Sequence, residues 1–174
     1  MQAPSNQSVR ILRPARPWFI AASLALALLL NLLPTRQWVF MPDWMMLTLC
    51  FWSMREWRSV GMGYAFLFGL VMDVADGAAL GQHALAYVLV SYAASSLSRR
   101  MLWFRLSEQS LHVLPIFLFV TALQIFIRLV AGGDFPGWRL FVSPCVAALA
   151  WAPLSILLLL PQYQPEERDE TRPI

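Results

Sequence analysis

The chain has 174 residues, 59% of them hydrophobic and 13% charged, with a mean hydropathy of +0.57. That is too apolar for an ordinary water-soluble domain and places the chain in a bilayer. All thirteen basic residues are arginine, and they fall in small groups between apolar runs without a continuous stripe, which excludes a nucleic-acid-binding surface.

A spanning helix takes about 20 residues, so roughly six passes with short loops use up nearly the whole length. Residues 1–16 form a basic cytoplasmic segment carrying Arg10, Arg13 and Arg16. The run PWFIAASLALALLLNLLP that follows is long for a cleaved secretory signal and leads into Asn31, Pro34 and Arg36 without a small-x-small site. It reads as an uncleaved first helix over 17–33. The second helix, 42–54, is the shortest; Pro42 in its first turn is followed by Asp43, a carboxylate facing the positive end of the helix dipole. Helices 3 and 4 cover 60–75 and 80–97. Helix 5 covers 111–131, with Pro115 in its first turns, and helix 6 covers 140–160, with Pro144 and Pro153. Membrane helices tolerate such prolines where neighbours or water re-satisfy the freed carbonyls. Residues 161–174 are polar, rich in proline and mixed in charge, and read as a disordered cytoplasmic tail.

Sorting the arginines by loop sets the orientation. With a cytoplasmic N-terminus, Arg10, Arg13, Arg16, Arg55, Arg58, Arg99, Arg100, Arg105, Arg168 and Arg172 lie inside, and only Arg36 and Arg139 outside. That asymmetry places both termini in the cytoplasm and supports six crossings of the domain 17–160. Trp38, Trp44 and Trp138 fall near outer boundaries and Trp18, Trp57 and Trp103 near inner ones, as headgroup-level anchors. Cys50 and Cys145 sit inside apolar segments without disulfide or metal spacing and read as packing residues.

The segment GLVMDVADGAALGQHALAY, residues 69–87, is the outer turn between helices 3 and 4. Asp76 and Gly77 mark a tight turn with Asp76 at a solvated tip, and Gly81 permits close backbone approach. Asp73 is harder to place: it lies one turn before the end of its helix, where the dipole is negative and hydration incomplete, so it needs a partner. One candidate is the set of free amides opening helix 4 around Gly81 and Gln82. The other is Arg128, at similar depth near the outer end of helix 5. Thr121, Gln124 and Arg128 share one face of that helix, which should turn toward the bundle, and the expectation is that Asp73 and Arg128 meet. Asp73, Asp76 and His83 match no established metal-ligand spacing, and His112 lies at the other end of helix 5; His83 reads as a polar residue of the first turn of helix 4. Asp43 and Asp73 lack the glycine-aspartate context of intramembrane aspartyl proteases, and no H-E-x-x-H or G-x-S-x-G occurs. No metal, cofactor or catalytic constellation is expected.

Several stretches together resemble the MreD family, the rod shape-determining membrane proteins of bacteria. They are PDW opening helix 2, GYAFLFGLVMDVADGAALGQHALAY across helices 3 and 4, SRRMLWFRL on the inner side and QSLHVLPIF opening helix 5. The resemblance covers residues 17–160. It implies a multi-pass, non-enzymatic subunit of the bacterial inner (cytoplasmic) membrane that pairs with MreC. It also implies a part in coupling MreB filaments to sidewall peptidoglycan synthesis by a RodA-type polymerase with its transpeptidase. The family is similar in fold to the substrate-binding subunits of energy-coupling-factor vitamin transporters, which supplies an alternative function. For that alternative Ala21 and Ala25 form a small-xxx-small pair, but the outer loops offer few specific hydrogen-bonding groups. For a scaffold the working surface is lipid-facing helix plus short loops, and the inner arginines are candidates for contact with anionic lipid headgroups or a cytoplasmic filament, or act as topology determinants alone.

Overall fold

A computed structural model describes residues 15–33 and 41–162. Among them the fold is all-α. Six helices follow one another, α1 Pro17–Leu32, α2 Trp44–Arg55, α3 Met62–Asp76, α4 Gln82–Met101, α5 Leu106–Val130 and α6 Val142–Leu159, with single 3-10 turns at Trp138–Phe141 and Leu160–Gln162. The expectations for the basic N-terminal segment, Arg36, Trp38 and the polar tail from Tyr163 onward lie outside the described residues.

Each helix starts and stops where its local chemistry changes. Pro17 opens α1, where its missing N–H is no loss. Asp43 is the N-cap of α2 and its side chain accepts the Met46 N–H at 2.8 Å, so the second helix begins two residues later than expected and Asp43 caps it from outside the first turn. α3 ends on Gly77 at φ 59°, with the Ala78 N–H returning to the Asp73 carbonyl at 3.0 Å, a left-handed terminus that glycine adopts without strain. α5 begins five residues before the expected position and α4 runs four beyond it, so the inner connection shrinks to residues 102–105 and Pro115 lies well inside α5. The polar residues of this stretch fit helix termini: Arg99 and Arg100 occupy the last turn of α4, and Glu108 the first turn of α5.

The shortest helix is the centre of the fold. Twelve residues of α2 rise only about 18 Å, against a hydrocarbon thickness of about 30 Å. Every residue from Met45 to Met54 is buried, which follows from its packing between α1, α4 and α6. The wall around it mixes aromatic and small polar contacts. Trp52 lies edge-on to Phe51 and Phe19, and its indole N–H donates to Ser23 on α1 at 2.8 Å. The hydroxyls of Ser53 and Ser91 pair at 2.8 Å between α2 and α4. Cys50 is buried in this helix, whereas Cys145 is exposed on α6.

The remaining helices form a row in chain order, α3 on α4, α4 on α5 and α5 on α6. Exposed leucines, phenylalanines and valines cover the outside, among them Leu67, Val74, Phe126, Leu149 and Leu157, a surface that suits lipid and not water. α5 and the segment Trp138–Gln162 are each long and apolar enough to cross a membrane. Trp18, Trp57, Trp103 and Trp138 are exposed. Trp44 instead turns its ring inward, against the expectation of a boundary anchor, because it opens the central helix.

Candidate functional site

Short connections make successive helices antiparallel, so one end of the bundle collects the end of α1, the start of α2, the α3–α4 turn, the end of α5 and the start of α6. Of the buried polar side chains, Asn31, Asp73, His83 and Thr121 lie there.

Asp73 is fully buried in α3, and its carboxylate caps α4 across the turn. One oxygen accepts the Gly81 N–H at 2.8 Å and the Ala84 N–H at 3.4 Å; the other accepts the His83 N–H at 2.7 Å. The local reason is that α4 starts on Gly81, which has no side chain to cap with, at φ 98°. The neighbouring helix supplies the missing acceptor, and the positive end of the α4 dipole offsets the unfavourable position of the carboxylate at the negative end of α3. Gln82 is not among the donors, because its N–H is already taken by the Ala79 carbonyl at 3.0 Å.

His83 closes the same unit from above. Its Nδ1 lies 2.9 Å from Asp73 and its Nε2 3.5 Å from Asp76, so Nδ1–H donates to the Asp73 carboxylate. Asp76 is exposed at the turn as expected, but its side chain is only 24% exposed and faces the imidazole. The expected meeting of Asp73 and Arg128 does not occur among the described residues. Amides eight to eleven residues away in sequence are nearer than a guanidinium on α5, and they saturate the carboxylate first.

A second carboxylate ties α1, α2 and α4 together. Besides capping α2, Asp43 accepts Asn31 Nδ2 at 2.7 Å and the Tyr87 hydroxyl at 2.9 Å, while the Asn31 carbonyl takes the Trp44 N–H at 3.0 Å. The Tyr87 ring stands edge-on to His83, 6.0 Å between centroids, so the two carboxylate units adjoin. Sequence reasoning missed Asn31 and Tyr87; the available signal was a polar group at the end of one apolar run and another one turn into the next. It also missed Gln109 at the opposite end. That buried amide donates to the Met101 and Phe104 carbonyls at 3.0 and 3.1 Å and accepts the Trp151 indole N–H at 3.3 Å, closing the α4–α5 connection onto α6. His112 stays at the start of α5, where its Nδ1–H donates to the Glu108 carbonyl at 2.9 Å and its ring stacks on Phe104.

Between these units and α5 lies a cavity of about 920 Å³. Asn31, Asp43 and Trp44 form one side, Asp76, Gln82 and His83 another, and Thr121, Gln124 and Arg128 of α5 the third, with Arg139 and Ser143 at the start of the last helix. The Ser143 hydroxyl fastens that helix to the Met41 carbonyl at 3.1 Å. Trp44 and Gln124 also line it, and their Nε1 and Nε2, buried just behind the wall, have no hydrogen-bond partner among the described residues.

The comparisons with known proteins agree on one relationship. Residues 13–160 match the family model of the rod shape-determining protein MreD. The chain is 30% identical over 149 residues to the rod shape-determining protein MreD of Haemophilus influenzae, covering 81% of this chain and 89% of that relative. No solved structure matches. A match that takes in all six helices, together with a helical bundle whose apolar side chains face outward, identifies the chain as a membrane protein belonging to the MreD family.

Proposed function

We propose that this protein is a six-pass, non-enzymatic scaffold of the bacterial inner membrane that helps determine rod shape. In this reading it binds MreC and helps couple MreB filaments to sidewall peptidoglycan synthesis by a RodA-type polymerase and its transpeptidase. Family membership supports the general role. The arginine distribution supports an arrangement with the cavity end outward and Arg55, Arg58, Arg99, Arg100 and Arg105 at the cytoplasmic end.

The single observation that carries the scaffold reading is the one-sided packing of α3. Among the described residues its only extensive helix neighbour is α4, against which Ala65, Gly69, Met72 and Asp73 are buried. Tyr64, Leu67, Val71 and Val74 are exposed on the opposite face. A partner with one membrane helix is recognised by packing on such a face, since lipid offers no hydrophobic drive for association. The test is cysteine cross-linking in cells that contain MreC. Leu67→Cys and Val71→Cys should cross-link to MreC and Phe126→Cys on α5 should not; failure to cross-link or co-purify with MreC would overturn the reading. The cavity favours a second reading, a substrate-binding subunit of an energy-coupling-factor-type vitamin transporter. Co-purification of a vitamin and an ATPase module would establish that one instead.

A further inference from the structure

We propose that the cavity at the Asp73 end is a binding site for a phosphate group, held by the guanidiniums of Arg128 and Arg139 with help from the Gln124 amide and the Trp44 indole.

The argument is a balance of donors and acceptors. Arg128 lies in the last turn of α5 and Arg139 in the 3-10 turn before α6, and both line the cavity. Neither guanidinium forms an ion pair or hydrogen bond among the described residues. The nearby carboxylates are engaged elsewhere. Asp43 accepts from Asn31, Met46 and Tyr87, Asp76 faces His83, and Asp73 is spent on the start of α4.

Beside these engaged carboxylates the cavity is lined by the two unpaired guanidiniums with five N–H groups each, both on exposed residues, while Gln124 Nε2 and Trp44 Nε1 are buried and unpartnered just behind the wall. A buried donor without an acceptor costs free energy, which applies to Gln124 Nε2 and Trp44 Nε1, and two guanidiniums without a counter-ion on the same space add a preference for an acceptor-rich, negatively charged occupant. Phosphate suits them better than a carboxylate, because its oxygens are tetrahedrally disposed, three unesterified in a monoester and two in a diester with two ester oxygens beside them, and so reach guanidiniums on two sides together with the neutral donors. Leu30, Met41, Ile125 and Leu140 are among the apolar lining residues and tolerate a less polar remainder. A phospholipid headgroup and a free phosphate ester share this chemistry.

The test is calorimetric titration of the purified full-length protein in neutral detergent with three probes: dioctanoyl phosphatidylglycerol, glycerol phosphate and dioctanoylglycerol. Saturable binding of either phosphate compound, with none of dioctanoylglycerol, is the expected result. Binding of phosphatidylglycerol alone identifies a lipid headgroup, and equal binding of glycerol phosphate identifies a soluble ester. Arg128→Gln and Arg139→Gln should each weaken binding about tenfold or more, and Gln124→Leu and Trp44→Phe by several-fold. Arg128→Lys keeps the charge and should bind more tightly than Arg128→Gln, which separates lost contact from lost folding once both show unchanged thermal unfolding. Absence of saturable phosphate binding, or equal binding of dioctanoylglycerol, would overturn the proposal. So would arginine variants that weaken binding while Gln124→Leu and Trp44→Phe leave it unchanged, since that pattern marks a headgroup contact outside the cavity.

Discussion

Gly69 of α3 lies directly against the backbone of Ala84 in α4, so that a methyl group there would come within 2.5 Å of the Ala84 nitrogen and 2.8 Å of the His83 carbonyl carbon. Backbone cannot yield as a side-chain tip can. Gly69→Ala should therefore force the two helices apart and displace Asp73 from its amides, one turn further along the same face. A loss of about 3 kcal/mol or more is expected. Gly63→Ala on the same helix meets nothing within 4 Å and should be neutral or stabilising by up to about 1 kcal/mol. Thermal unfolding of the two purified variants in detergent checks the contrast.

Asp73→Asn keeps the shape of the side chain but turns one acceptor into a donor facing an amide. Because the site is fully buried, a cost of about 2–4 kcal/mol follows from the lost charge-assisted bonds and the stranded N–H groups. Denaturant titration in mixed micelles measures it. Asp73→Ala and Arg128→Ala should be additive within about 0.5 kcal/mol, as for groups that do not touch. A large coupling energy would restore the direct pair.

Tyr87→Phe removes one donor from Asp43 and leaves the cap of α2 and the Asn31 contact in place. About 1 kcal/mol should be lost. Asp43→Ala removes the cap and strands Asn31 and Tyr87 together, and should cost about 2–4 kcal/mol. Comparing the two variants by thermal unfolding tests whether the carboxylate, and not the phenol, organises that corner.

Gln109→Leu frees the Met101 and Phe104 carbonyls and the Trp151 indole in one step. A loss of about 2–3 kcal/mol is expected. Trp151→Phe, which breaks only the 3.3 Å bond, should cost less than Gln109→Leu if the clamp on the α4–α5 connection dominates. Hydrogen exchange at residues 102–105 should rise in the first variant and change little in the second.

Much of the fold is written in runs of like residues. Breaks such as Pro42 and Asp76 with Gly77 separate apolar stretches into helices, because each removes either an N–H or the helical backbone preference, whereas the mostly polar residues 106–110, read as a loop from the sequence, belong to α5. The hairpin of α3 and α4 was legible for the same reason. The partner of Asp73 was not, since depth along a helix ranks Arg128 and the α4 amides equally, and only the fold back through Gly77 and Gly81 makes the amides nearer. Asn31, Tyr87 and Gln109 gave no periodic signal at all; each matters because of a group on another helix.

The sequence by itself determined that the chain is apolar and helical and where its helices begin and end to within a few residues. Solvent preference and local hydrogen bonding are properties of neighbours along the chain. Tertiary structure alone decided that the shortest helix occupies the centre, that Asp73 is saturated by α4, and that Trp44, Gln124, Arg128 and Arg139 surround one space. These depend on which side chains approach across helices, and the strength of a buried hydrogen bond falls off within an ångström of its best distance, a scale no linear pattern resolves.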